Sequence, residues 1–380
     1  MRLLLLPLLA IALPALADVS IDDLTDKRSD WETYRFPLLV GDSPAIARIN
    51  IFLHARELQA LPGRFARSPF EKVQPKDGDI AGVNRLDYQV VGQGPGYLSL
   101  SIDGEYTGAY TSEGSRGYNF DLASGRVIGL SQLLSPEGLL RLQGEAQRQR
   151  VKRMEDFLKA LPPSRAVDFE NLNDDEQWLQ GQRNLYSYCL NTRRDASLDY
   201  DRLQLGTDDL TVIGDTCANH ASRALDDLGE FSNSVSYASL SADLSPYGRC
   251  LLLEKRSDCA LPANSTAQGV YRGTLGRYPI TLVIEQPYAD HSLSASYFYD
   301  KHATQIDLGG EFQQDYLTLR KRRTAGPLRT RIPDRWQPDG HLAAGQQARA
   351  CRETHSVKLD EEDLCGIWSV VTTPSPASAM

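Results

Sequence analysis

Residues 3–16 form an apolar run behind the single positive charge of Arg2, and the run ends in Ala15-Leu16-Ala17 just before Asp18. A short basic start, an apolar stretch and small residues three and one before the cut are what signal peptidase reads. The run is too short for a bilayer span, which needs about 20 apolar residues, and it contains Pro7 and Pro14. Residues 1–17 are therefore expected to be a cleaved signal peptide. That expectation constrains the fold, because an exported chain folds where thiols oxidise. Six cysteines, Cys189, Cys217, Cys250, Cys259, Cys351 and Cys365, are then read as disulfide partners. Neighbours in sequence close the shortest loops, so Cys189–Cys217, Cys250–Cys259 and Cys351–Cys365 are the expected bridges. Each would contribute about 2–4 kcal/mol, chiefly by restricting the unfolded chain. Paired thiolates at Cys-x-x-Cys spacing are absent, so no metal is expected.

Without the seventeen leader residues the chain has 363 of its 380 residues, more than one compact core usually holds, and two domains are expected. Its 40 remaining basic residues face 50 acidic ones. A net charge of −10 disfavours nucleic acid, whose phosphates need a basic face. No later segment is long and apolar enough to span a membrane, and the expected location is the periplasm.

The apolar residues Ile46, Ile49, Leu53 and Leu58 have helical spacing. Leu86, Tyr88 and Val90, then Leu98, Leu100 and Ile102, alternate around a Gly- and Pro-rich turn, the signature of a hairpin. Ser135-Pro136-Glu137 opens a helix with a stripe from Leu139 to Leu158, which Pro162-Pro163 stops. The acidic segment from Asp168 to Glu176 reads as a loop or helix start with a solvated surface, or as a docking patch for a basic partner. Strand patterns return around residues 203–205, 210–213 and 234–237. Without regular βα alternation, this is an α+β domain. After Pro262-Ala263-Asn264-Ser265 short strands recur about every dozen residues, predicting a smaller, mostly antiparallel β domain, a meander or a small barrel. The expected division is 18–248, a linker at 249–265 bracketed by a disulfide, and 266–380.

Catalytic constellations are sparse. Gly41-Asp42-Ser43 resembles the serine block of lipase-like esterases, but no histidine has an acid three residues before it, and Pro44 after Ser43 favours a turn. Cys217 with His220 resembles a thiol and its base, yet Cys189 is available as an oxidised partner. His291 and His302 would need a third ligand to hold a metal. Arg320, Lys321, Arg322 and Arg323 form a concentrated basic segment, a solvated hairpin tip or a contact for an anionic partner. No cofactor motif is present.

Tyr106-Thr107-Gly108-Ala109-Tyr110, followed by Asn119-Phe120-Asp121-Leu122-Ala123-Ser124-Gly125, resembles the core signature of an extracytoplasmic domain. That domain is shared by RsiV-type anti-sigma factors and the N-terminal part of PdaC-type peptidoglycan deacetylases. The likeness spans about residues 34–248. Gly108 stands alone where the family has two glycines, and Tyr110 falls where its histidine lies, so that histidine's role does not transfer. The resemblance implies a non-catalytic α+β module, which in RsiV-like proteins binds lysozyme. On this reading Tyr106, Thr107, Gly108 and Tyr110 are binding candidates, to which the basic segment 320–323, outside the resemblance, is added on its charge alone, and the partner is a protein or peptidoglycan-related ligand. The competing expectations are an envelope hydrolase using Ser43 or His220, and a structural module of an envelope assembly.

Overall fold

The computed structural model describes residues 19–76, 78–163, 165, 169–193, 197–262, 268–287, 292–313 and 316–321. Strand β1 (Ser20–Lys27) pairs antiparallel with β2 (Thr33–Val40), with Leu24 opposite Phe36. Tyr34, Phe36 and Leu39 of β2 enter the core. The chain then turns into α1 (Pro44–Leu58), where the Ser43 hydroxyl accepts the Ile46 N–H at 3.1 Å and Pro44 presets the first turn. The helix carries the chain over the sheet, so that β3 (Gly82–Gln93) joins β2 in parallel, Tyr34 opposite Leu86. The antiparallel strands β4 (Tyr97–Thr107) and β5 (Thr111–Asp121) complete the order β1-β2-β3-β4-β5. One face of this sheet packs Leu86, Leu98, Leu100 and Phe120 against Ile49, Phe52 and Leu53 of α1.

The other face is covered by the chain that follows. Helices α2 (Leu130–Leu133), α3 (Pro136–Ala160) and α4 (Asp174–Arg193) precede a three-stranded antiparallel sheet, β6 (Arg202–Leu205), β7 (Asp209–Gly214) and β8 (Phe231–Ser236). Ser135 caps α3, and the helix ends at Ala160 before the proline pair. A short helix α5 (Pro246–Gly248) runs into a π turn, Arg249–Leu253. Tyr97, Leu133, Leu142, Leu205, Val212 and Leu251 share a second core. Leu251, Leu252 and Cys259 are buried in it, so the first part of the expected linker belongs to this packed unit.

Strands β9 (Gly269–Leu275), β10 (Tyr278–Pro287), β11 (Ser292–Tyr299), β12 (Gln305–Gln313) and β13 (Tyr316–Lys321) form an antiparallel sheet in chain order. Among the described residues it is an open meander, so of the two expected forms the barrel is the one to drop. Ile280, Leu282, Ile284, Leu293 and Tyr297 make its own cluster, while Val283 and Phe298 join the first core beside α1. The fold is α+β, as the lack of regular βα alternation in the sequence implied.

Two expected disulfides are present, Cys189–Cys217 and Cys250–Cys259. Cys351 and Cys365 lie outside the described residues, as do residues 1–17, His291, Arg322 and Arg323. No helix of the described residues is long and apolar enough to cross a membrane.

Candidate functional site

The most specific stretch of the sequence turns out to hold the two cores together. Phe120 is fully buried against Phe52, and Asn119 donates to the Leu203 carbonyl at 2.8 Å. Asp121 is buried as well. It accepts from the Ser124 N–H at 2.7 Å and from the Tyr247 hydroxyl at 2.9 Å. Gly125 closes the turn at φ 69°, where a Cβ would meet the Ala45 carbonyl oxygen at 2.4 Å. These residues face into the fold, and apart from the Asn119 side-chain oxygen, which is buried without a partner among the described residues, their polar groups are engaged by it.

The neighbouring segment does open onto solvent. Helix α1 stops at Gln59 in the left-handed conformation, and the chain arches as an irregular strap before entering β3. The Val83 N–H donates to the Val73 carbonyl at 2.8 Å, drawing the strap back on itself. At Gly82 a Cβ would lie 2.7 Å from the Pro75 nitrogen, so this return needs glycine. Between strap and sheet lies a cleft of about 440 Å³, walled by Gln59, Lys72, Lys76 and Asp79 on one side and by Tyr106 and Thr107 on the other. Both lysines are exposed, as is Ile80 at the rim.

A buried charge network supports Tyr106 from below. The Arg116 guanidinium lies over the Tyr106 ring, 5.2 Å from its centroid. One of its nitrogens donates to the Tyr106 hydroxyl at 2.8 Å and to Glu57 at 2.7 Å. The Tyr118 hydroxyl donates to the other Glu57 oxygen, and the Glu57 side chain is 1% exposed. Next along α1, Arg56 pairs with Glu285 of β10. Burial raises the pKa of the Tyr106 and Tyr118 phenols, so both stay neutral, Tyr106 accepting from Arg116 and Tyr118 donating to Glu57. Burial would also weaken the charge on Arg116, but Glu57 outweighs it and the guanidinium is held more firmly protonated. Two guanidiniums and two carboxylates thus balance each other, and both Glu57 oxygens are occupied. The arrangement positions an aromatic wall and leaves this carboxylate without an open face for proton transfer.

Of the sequence candidates, the cleft gathers only Tyr106 and Thr107. The Thr107 hydroxyl accepts from Asn84. Gly108 and Tyr110 form the exposed tip between β4 and β5, where the Tyr110 ring stacks on His220 with centroids 4.7 Å apart. Arg320 and Lys321 end β13 of the other large sheet and are not among the residues lining this cleft. Ser43 is spent as a helix cap and Cys217 as a disulfide. Lys72, Lys76, Glu57 and Arg116 escaped the sequence reading. Glu57 alone carried a signal, an acid one turn after Leu53 on the apolar stripe of α1.

No protein-family model matches the sequence, and no curated protein matches it. Among solved structures the chain is similar to a DUF3298 family protein from Pseudomonas aeruginosa PAO1, at 12% identity over 60% of this chain and 96% of that one, with a TM-score of 0.35. It is likewise similar to a DUF3298 family member from Bacteroides fragilis NCTC 9343, at 11% identity over 63% and 98%, with a TM-score of 0.37.

Proposed function

We propose that this chain is a non-catalytic binding protein of the cell envelope that takes a protein segment or a peptidoglycan-derived ligand in the cleft beside Tyr106. The observation that carries this reading is the closed Glu57–Arg116–Tyr118 network under an open cleft. It is a rigid floor with a solvated rim, suited to recognition, and the buried Glu57 carboxylate beneath it is fully engaged. Exposed Ile80 and Tyr110 add apolar contact area at the same end of the sheet. The two disulfides and the leader-like N-terminus support an oxidising compartment.

Calorimetric titration of the mature protein with lysozymes and with muropeptides tests the reading. Binding to one of them, abolished by Thr107→Arg or by joint reversal of Lys72 and Lys76 to Glu, supports it. Silence with every ligand, or binding indifferent to these substitutions, rejects this cleft as the site. The envelope-hydrolase alternative is checked by fluorophosphonate labelling, for which Ser43, engaged with Ile46, is expected to stay unlabelled.

A further inference from the structure

A second cavity, separate from the cleft, lies where α3 and the end of α4 meet β7 and β8. It encloses about 230 Å³, and its walls include Arg150, Arg193, Asp201 and Asp215, with Met154 and Phe231 as an apolar floor. Arg150 and Asp201 form an ion pair whose side chains are 11% and 8% exposed. Burying such a pair costs desolvation that mutual attraction rarely repays unless further hydrogen bonds complete it. Here completion is partial, since the buried Arg150 Nε has no acceptor among the described residues. The guanidinium lies flat against Gly214, where a Cβ would come within 2.8 Å of its central carbon, so the backbone is shaped to admit it.

The second charged pair lines the same cavity. Arg193 donates to the Asp215 backbone carbonyl at 2.7 Å, which leaves the exposed Asp215 carboxylate beside it. Both walls are clamped. Cys189 lies one helical turn before Arg193, Cys217 lies two residues after Asp215, and the disulfide joins them. Holding binding groups in place before the ligand arrives lowers the ordering cost of binding. Two guanidiniums and two carboxylates around an apolar floor give walls of zero net charge. A ligand of one sign meets as much repulsion as attraction there, whereas one carrying both signs and an apolar group satisfies every wall.

We propose that this cavity binds a small zwitterion, an α-amino acid with an apolar side chain, its carboxylate on the arginines, its ammonium on the aspartates and its side chain over Met154 and Phe231. Calorimetry on the mature, oxidised protein tests it, using phenylalanine and leucine in both enantiomers, with phenethylamine and 3-phenylpropionate as probes lacking one charge. The expected result is saturable binding of at least one amino acid, weakened about tenfold or more for either singly charged probe. Arg193→Met and Asp215→Asn, at the solvated side of the cavity, should each weaken binding by a similar factor with the thermal midpoint unchanged. Absence of binding by all four amino acids at about 10 mM, a concentration that would nearly saturate a site with a Kd of about 1 mM, would overturn the proposal. Equal affinity for a singly charged probe, or wild-type affinity in both folded variants, would overturn it too.

Discussion

His54 sits on the inner face of α1, 1% exposed, with its Nδ1 2.9 Å from the Asn50 carbonyl and its ring edge-on to Phe36. A carbonyl can only accept, so Nδ1 carries the proton and the ring is neutral. Burial pushes its pKa down from 6.5 to about 4. The unfolded chain therefore takes up a proton between these values that the folded chain refuses, and stability is full above pH 6.5 and falls as pH drops towards 4. By pH 5 the loss should reach roughly 2 kcal/mol. Denaturant midpoints at pH 7.5 and 5 should show it in the native protein and not in His54→Gln, which keeps an N–H for Asn50. The Glu57 network makes a second prediction. Glu57→Leu strands Arg116, and because that guanidinium remains 40% exposed the cost should be about 2–3 kcal/mol, below that of a fully buried pair. Arg116→Met in the same background should recover part of it, as a double-mutant cycle would report. Single residues were only partly legible in the sequence. Ser43 before Pro44 announced a turn and became a cap, whereas Arg116 lies in a polar run, Ser115-Arg116-Gly117, that says nothing of the acid it meets 59 residues away.

Elements were legible where periodicity was strong. The α1 stripe, the β3–β4 hairpin and α3 between Ser135 and Pro162 form where their patterns place them, because local spacing and tertiary burial agree. Strand β1 gave no signal, since an edge strand reading Ser-Ile-Asp-Asp-Leu-Thr-Asp-Lys buries too little to need an apolar alternation. Helix α4 was visible only as an acidic start. Its buried residues are few, Gln182, Tyr186 and Cys189, and it is held by partners a pattern cannot show. Tyr186 donates to Asp226 at 2.6 Å, and Cys189 is bonded to Cys217, 28 residues on. The disulfide therefore does much of the work of docking this helix. Replacing both cysteines with alanine should destabilise the protein by about 3.6 kcal/mol, the loop-entropy value for a ring of this size. Hydrogen exchange should then rise in α4 before it rises in α1. Equal protection of α4 with and without the bridge would contradict that assignment.

At the scale of the whole molecule, the change of pattern near residue 262 suggested a module with a core of its own. The C-terminal sheet does have one, around Ile280, Leu282 and Tyr297, but it also lends Val283 and Phe298 to the core that α1 shares with the first sheet. The Arg56–Glu285 pair crosses the same junction, next to the network that holds Tyr106. Binary pattern could not reveal this, because a strand buried on both faces reads as a continuous apolar run whichever core each side chain joins. The consequence is cooperative. Phe298 is fully buried, so Phe298→Ala should cost about 3–5 kcal/mol, and that loss should fall on the assembled molecule and not on the last sheet alone. Calorimetry of the mature protein should accordingly give one unfolding endotherm whose calorimetric and van't Hoff enthalpies agree, displaced as a unit by the substitution. Two separated endotherms, with only the lower one moved by Phe298→Ala, would mean that α1 and the C-terminal sheet touch without sharing their stability.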